Sequence, residues 1–152
     1  MKSLTFDSPL GPLTITEENG QITSLSFGAS RDSEPTPLLL EAKIQLEEYF
    51  AGKRREFRLP LAPKGTEFQQ RVWKALLAIP YGETRSYGEI ARDIGNPRAS
   101  RAVGMANNRN PIAIIIPCHR VIGSTGRLVG YGGGLDKKEF LLNIERQYSS
   151  QE

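Results

Sequence analysis

The apolar residues change their period near residue 30, and that change orders everything downstream. Lys2 to Phe6 alternates polar and apolar, Leu13 to Thr16 continues as strand, and Gln21 to Phe27 carries Ile22, Leu25 and Phe27 as its apolar positions. Alternation with period two is the pattern of a half-buried strand. Asn19-Gly20 stands between two such runs. It is the strongest two-residue hairpin signal, because the turn that joins right-twisted strands needs positive φ at both central residues. Ser8-Pro9-Leu10-Gly11-Pro12 marks the turn before it. These features predict a small antiparallel sheet.

From Thr36 onward the period is helical. Thr36 can cap and Pro37 suits a first helical position. Leu39, Ala42, Leu46, Tyr49 and Phe50 then share a face that ends at Gly52. Lys53 to Lys64 is a charged, Pro-containing connector, which predicts an N-terminal domain over 1–60 and a C-terminal domain over 61–152. Thr66-Glu67-Phe68-Gln69 and Ser86-Tyr87-Gly88-Glu89 are capping boxes. The first opens a helix with Phe68, Val72, Ala75, Leu76 and Ile79 on one face, stopped by Pro80-Tyr81-Gly82. The second opens a helix over 87–94 with Tyr87, Ile90, Ala91 and Ile94 as its stripe. Gly95 ends it, Asn96 and Pro97 are expected to cap and open the next, and Ala99, Ala102, Val103 and Ala106 give that one a small-residue stripe to about residue 107. Two short helices joined this tightly form a helix-turn-helix or a packing hairpin. A last helix is expected near Asp136, with Asp136 as cap, Glu139 closing a third box, and Phe140, Leu141, Ile144 and Tyr148 on its apolar face. The fold class is α/β of the α+β kind: a small N-terminal antiparallel sheet plus helix, then a mainly helical domain with a helix-turn-helix and an active-site loop.

Composition excludes several classes. No apolar run approaches the roughly 18 to 20 residues of a membrane span, and Met1 to Phe6 lacks the apolar core of a secretory signal. One Cys forms no internal disulfide, and one Cys with one His builds no Cys/His zinc site. The expected compartment is the cytoplasm, with no metal and no cofactor. Residues 1–60 hold 7 Lys+Arg against 9 Asp+Glu, whereas 61–152 hold 13 against 8. Between 85 and 127 there is no Lys and seven Arg: Arg85, Arg92, Arg98, Arg101, Arg109, Arg120 and Arg127. Planar guanidinium forks suit phosphate, so this is either a solvated basic face or the footprint of a polyanion.

The lone Cys118 and lone His119 are adjacent, after the apolar run Ile112 to Ile116. Each alone is most often structural. Together, framed by Pro117 and Arg120, they suggest an activated thiol, since a thiol with an ordinary pKa of about 8.5 needs a base at neutral pH. Adjacent side chains rarely meet, so His119 would act through a water, with a carboxylate orienting the imidazole. Glu139, at the start of the last helix, is the candidate, and Asp136 a poorer one.

Pro117-Cys118-His119-Arg120-Val121-Ile122 resembles the active-site motif of the O6-alkylguanine-DNA alkyltransferases. The likeness runs through Pro80-Tyr81-Gly82, Ser86-Tyr87, Gly95-Asn96-Pro97, Arg101-Ala102-Val103-Gly104, Asn110-Pro111, Gly130-Tyr131, Gly133-Gly134 and Lys138-Glu139, and covers roughly 66–146. It implies direct-reversal repair. Duplex DNA carrying O6-alkylguanine, with O4-alkylthymine as a second substrate, would be bound through its minor groove by Ala99, Ser100, Ala102, Gly104 and Arg120. Arg101 would enter the base stack and Tyr87 press on the adjoining phosphate. The base must be flipped because its O6 atom is unreachable inside a duplex. Cys118 would take the alkyl group, with His119, Glu139, Asn110 and Tyr87 assisting and Val121, Tyr131, Gly132 and Gly133 lining the pocket. Gly132 stands where some relatives carry a Ser that bonds the alkylated oxygen. A thioether has no carbonyl for water to attack, so each molecule would act once. A monomer is implied, with cooperative assembly on DNA a further expectation. The alternatives are a non-transferring lesion sensor of the same fold, an unrelated Cys/His hydrolase and a plain transcription factor.

Overall fold

We describe a computed structural model of residues 1–124, 126, 130, 131 and 133–149. The chain divides into two compact units: Met1–Lys64 with Pro111–Ile115, and Gly65–Asn110 with Ile116–Glu152. The division is not a single cut at residue 60, because the apolar run at 111–115 belongs to the first unit.

In the first unit, β1 (Lys2–Ser8), β2 (Gly11–Glu18) and β3 (Gln21–Phe27) form an antiparallel meander in that order. Asn19 and Gly20 both take positive φ, 53° and 76°, as the hairpin requires. The register pairs Leu4 with Ile15 and Phe6 with Leu13, so one face is apolar. Its opposite face pairs hydroxyls: Ser3 with Thr16 and Thr5 with Thr14, each at 2.9 Å. Helix α1 (Pro37–Phe50) packs on β1 and β2. Thr36 caps it, accepting from the Leu39 amide at 3.1 Å, and Leu39, Ala42, Leu46 and Tyr49 are fully buried. The run at 111–115 lies along β3: the Leu25 amide donates to Pro111 O at 2.9 Å, and the Ala113 amide to Leu25 O at 3.1 Å.

The second unit is built from α2 (Glu67–Leu77), α3 (Tyr87–Asp93), α4 (Ser100–Asn108) and α5 (Leu135–Ser149), with short strands β4 (Arg85–Ser86) and β5 (Val121–Ile122) paired in parallel. Two of the three expected capping boxes form, at Thr66–Gln69 and Ser86–Glu89. Trp73, outside the expected stripe of α2, is buried and donates from Nε1 to Ala106 O at 2.9 Å.

The turn between α3 and α4 differs from expectation. Gly95 takes φ +79°, its amide donates to Arg92 O, and the Asn96 amide donates to Ala91 O. That double closure is a Schellman motif, and it consumes Asn96 as the end of α3. Asn96 therefore does not cap α4, which starts at Ser100 behind Ala99 with no side-chain cap. Asp136 likewise lies inside the first turn of α5 rather than ahead of it. The buried face of α5 is Lys138, Leu141, Leu142, Ile144 and Glu145, while Phe140 is exposed. No helix among the described residues is long and apolar enough to cross a membrane.

Candidate functional site

Two tight turns deliver Cys118. Ile115 N donates to Ala113 O at 2.7 Å across Ile114, which sits at φ +70°. That is a strained position for a β-branched residue. Pro117 (φ −81°, ψ 64°) centres a second three-residue turn of the unstrained hand, closed by Cys118 N on Ile116 O at 2.8 Å. Proline pre-sets that φ. Asn110 clasps the excursion, donating from Nδ2 to Ile116 O at 2.8 Å. A 3-10 turn over Cys118–Arg120 leads into β5, whose pairing with β4 brings Ser86 opposite Ile122, and Tyr87, next along the chain, is near enough to feel charge on Cys118.

Cys118 is 6% exposed. Burial pushes its thiol up to about 11, against an Asn110 hydrogen bond and the charge of Lys138. It is therefore a thiol at neutral pH and needs a base. Burial also raises the phenols of Tyr87 and Tyr131, and a negative charge on Cys118 would raise both further.

The carboxylate that holds His119 is Glu145, not Glu139. His119 Nε2 and Glu145 Oε2 are 2.6 Å apart, and both residues are buried. Helical spacing explains the correction. Glu145 lies on the stripe of Lys138, Leu141 and Leu142, at i+7 from Lys138, whereas Glu139 is exposed. A carboxylate sharing a face with Leu141 and Leu142 was the available signal. Glu145 accepts two further bonds from Arg120, Nε to Oε1 at 2.8 Å and Nη2 to Oε2 at 3.1 Å, and one from the Gly82 amide at 3.1 Å. Gly82 can approach because it has no side chain: a Cβ there would stand 2.8 Å from Ser149 Cβ, and its φ is +80°. Burial alone would push Glu145 up, but the bonds and charges of His119 and Arg120 outweigh it and hold the carboxyl well below its usual range.

Arg120 is corrected with it. Expected on DNA, it is buried, forks onto Glu145 and donates from Nη1 to Ile79 O at 2.8 Å. Its cation neutralises a carboxylate that could not otherwise be buried. Burial lowers the His119 pKa, with Glu145 opposing, so the imidazole is neutral at pH 7. With Glu145 ionised, the ring proton sits on Nε2 and Nδ1 keeps its lone pair. Nδ1 is buried and has no hydrogen-bond partner among the described residues.

Lys138, missed as a site residue, is fully buried and donates from Nζ to Val121 O at 2.6 Å and Gly130 O at 3.3 Å. Burial brings it down to about 8. It thereby joins the buried Val121 to the loop that carries Tyr131 and Gly133. Gly132 lies outside the described residues.

Outside the thiol, Tyr87, Gly88, Ser100, Arg101, Gly104 and Ser124 line a cleft of ≈ 450 Å³. Gly104 lies against the Tyr87 ring, 3.8 Å from where a Cβ would stand. Arg101 and Ala102 are exposed; Ala99 and Ser100 are half-buried. Two short helices joined by a Schellman turn, with this cleft and a thiol next to a histidine, are the plan of a protein that does covalent chemistry on what its helices hold.

The comparisons with known proteins agree with that plan. Residues 67–147 match the model of the 6-O-methylguanine DNA methyltransferase DNA binding domain, and residues 1–63 match that of its ribonuclease-like domain. The chain is 55% identical over 148 residues to a methylated-DNA–protein-cysteine methyltransferase of Methanosarcina acetivorans, spanning 92% of this chain and 95% of that one. It is 52% identical over 154 residues to the constitutive one of Bacillus subtilis, 93% of each being covered. The crystal structure of Mycobacterium tuberculosis OGT in complex with DNA superposes with a TM-score of 0.90 at 52% identity, covering 97% of this chain and 94% of that one. The chain belongs to the 6-O-methylguanine DNA methyltransferase family.

Proposed function

We propose that the chain repairs duplex DNA by moving the alkyl group of O6-alkylguanine irreversibly to its own Cys118. The observation that carries this is the buried thiol beside an imidazole whose Nε2 is fixed on Glu145, leaving Nδ1 as the base. His119 Nδ1 takes the Sγ proton through a water. Sγ then attacks the alkyl carbon, forming the S–C bond as the C–O6 bond breaks. The departing purine takes the electron pair and a proton from the Tyr87 hydroxyl, which recovers one through the site water from His119. Asn110 holds the backbone ahead of the thiol, and Val121, Tyr131 and Gly133 line the alkyl pocket. The product is a thioether, so one molecule serves one lesion.

The helices present the lesion. Ala99, Ser100, Ala102 and Gly104 fit a narrow groove, Arg101 takes the place of the flipped base, and Tyr87 turns the nucleotide out. O4-alkylthymine is a second substrate, the working state is a monomer that can assemble cooperatively on DNA, and the compartment is the cytoplasm.

Intact-protein mass spectrometry after mixing with a duplex bearing one O6-methylguanine tests this. A single methyl on Cys118, stopping at one per protein and absent from Cys118→Ser, is the expected outcome. Lesion binding with no mass gain would make the chain a damage sensor instead.

A further inference from the structure

We propose that Asn107 is a positioning residue, tying the nucleophile's own peptide to the helix that carries Arg101. Asn107 is 1% exposed and donates from Nδ2 to the Cys118 carbonyl at 3.3 Å. It lies on the inner face of α4 with Val103 and Ala106, while Arg101 and Gly104 of the same helix line the outer cleft. One rigid element nine residues long therefore holds both the cleft and the peptide bearing the thiol. The role rests on Cys118 being the acceptor, as proposed above.

Packing alone does not account for this residue. A carbonyl can only accept, so Nδ2 must face Cys118 and Oδ1 must point away. Oδ1 is buried with no hydrogen-bond partner among the described residues. A half-satisfied buried amide destabilises its surroundings relative to an apolar side chain of similar volume. A leucine would fill the same space without an orphaned oxygen, so packing by itself does not call for an amide here.

The next residue strengthens the case. The Asn108 side chain lies 3.1 to 3.2 Å from where a Cβ of Gly130 would stand, and Gly130 (φ +59°) precedes Tyr131. Two residues on, Asn110 clasps Ile116 O. The end of α4 thus touches the nucleophile's carbonyl, the loop across from it and the chain leading into it. The Trp73 indole fixes the same turn from behind through Ala106 O. A shift of α4 on seating DNA is passed through Asn107 to Cys118.

Single-turnover transfer from a duplex bearing O6-methylguanine, at saturating DNA, tests this with Asn107→Leu and Asn107→Ser. The expected result is a rate at least tenfold lower at full methyl stoichiometry, with DNA affinity within twofold of wild type. Iodoacetamide alkylation of Cys118 across pH, without DNA, should shift its profile in both variants. A wild-type rate at full stoichiometry would overturn the proposal. So would lower stoichiometry with the surviving fraction reacting at the wild-type rate, the signature of a fold defect alone. If Asn107→Leu does not fold, Asn107→Ser decides on the same criteria. A wild-type chain that takes up no methyl overturns the acceptor reading, and the iodoacetamide profiles still show whether Asn107 positions the thiol.

Discussion

The two units bury different kinds of residue. Beneath its sheet the first unit buries Leu4, Phe6, Leu13, Ile15, Ile22, Leu25, Leu39, Leu46 and Tyr49, and its buried polar side chains are neutral: Thr14, Thr16, Thr23, Thr36 and Gln45. The second buries His119, Arg120, Lys138 and Glu145 along with its thiol. Apolar burial stabilises at roughly 25 cal/mol per Å², whereas a buried ion pair contributes little net stability and is costly to break. One unit is built to be stable and the other to keep a base neutral and a carboxylate charged in a dry place.

The sharpest way to break that contrast is Glu145→Gln. It strands Arg120 as a buried cation, so a loss of about 3–5 kcal/mol is expected, read by urea denaturation, together with loss of transfer. Adding Arg120→Met and converting position 145 to Leu should recover most of that stability and none of the transfer. Stability recovered with activity intact would mean the charges are incidental. Leu46→Ala, in the first unit, should cost about 2–5 kcal/mol and leave the transfer rate of folded molecules unchanged.

Acid separates the units next. His119 is held below its ordinary 6.5 and Glu145 below its ordinary 4.5, so in each case the unfolded chain binds the proton first. Stability should fall as pH drops through the histidine range and more steeply below 4.5. The first unit buries no carboxylate and no histidine, so hydrogen exchange should lose protection at 116–124 and 135–149 before it does over 2–27. The smallest effect should not distinguish the units: Thr36→Ala and Thr66→Ala each remove a cap worth about 1 kcal/mol, seen as similar shifts in denaturation midpoint.

What could be read from the sequence follows the range of the interaction. The Asn19-Gly20 hairpin, the Thr36 cap and the capping boxes at Thr66 and Ser86 are set within four residues, and each forms as expected, whereas the box expected at Asp136 does not. The carboxylate at the imidazole is set by contacts spanning 25 and 26 residues, from Arg120 and His119 to Glu145. Charge in sequence reads as surface, so Arg120 was expected on DNA and Glu139 at the imidazole. Both readings failed because mutual neutralisation lets opposite charges enter a core together. Asn96 failed for a local reason: it closes α3, and α4 begins only at Ser100, with Ala99 in the cap position.

The first unit reclaims residues 111–115 from the middle of the second, and the chain returns through Ile116 directly into Pro117-Cys118. The boundary is therefore crossed three times, and no single cut of the polypeptide yields two whole halves. A gene fusion or truncation that kept only the residues after 64 would carry the thiol but orphan the five-residue stretch that leads into it. The halves can be told apart by what they bury, yet they can be inherited only together.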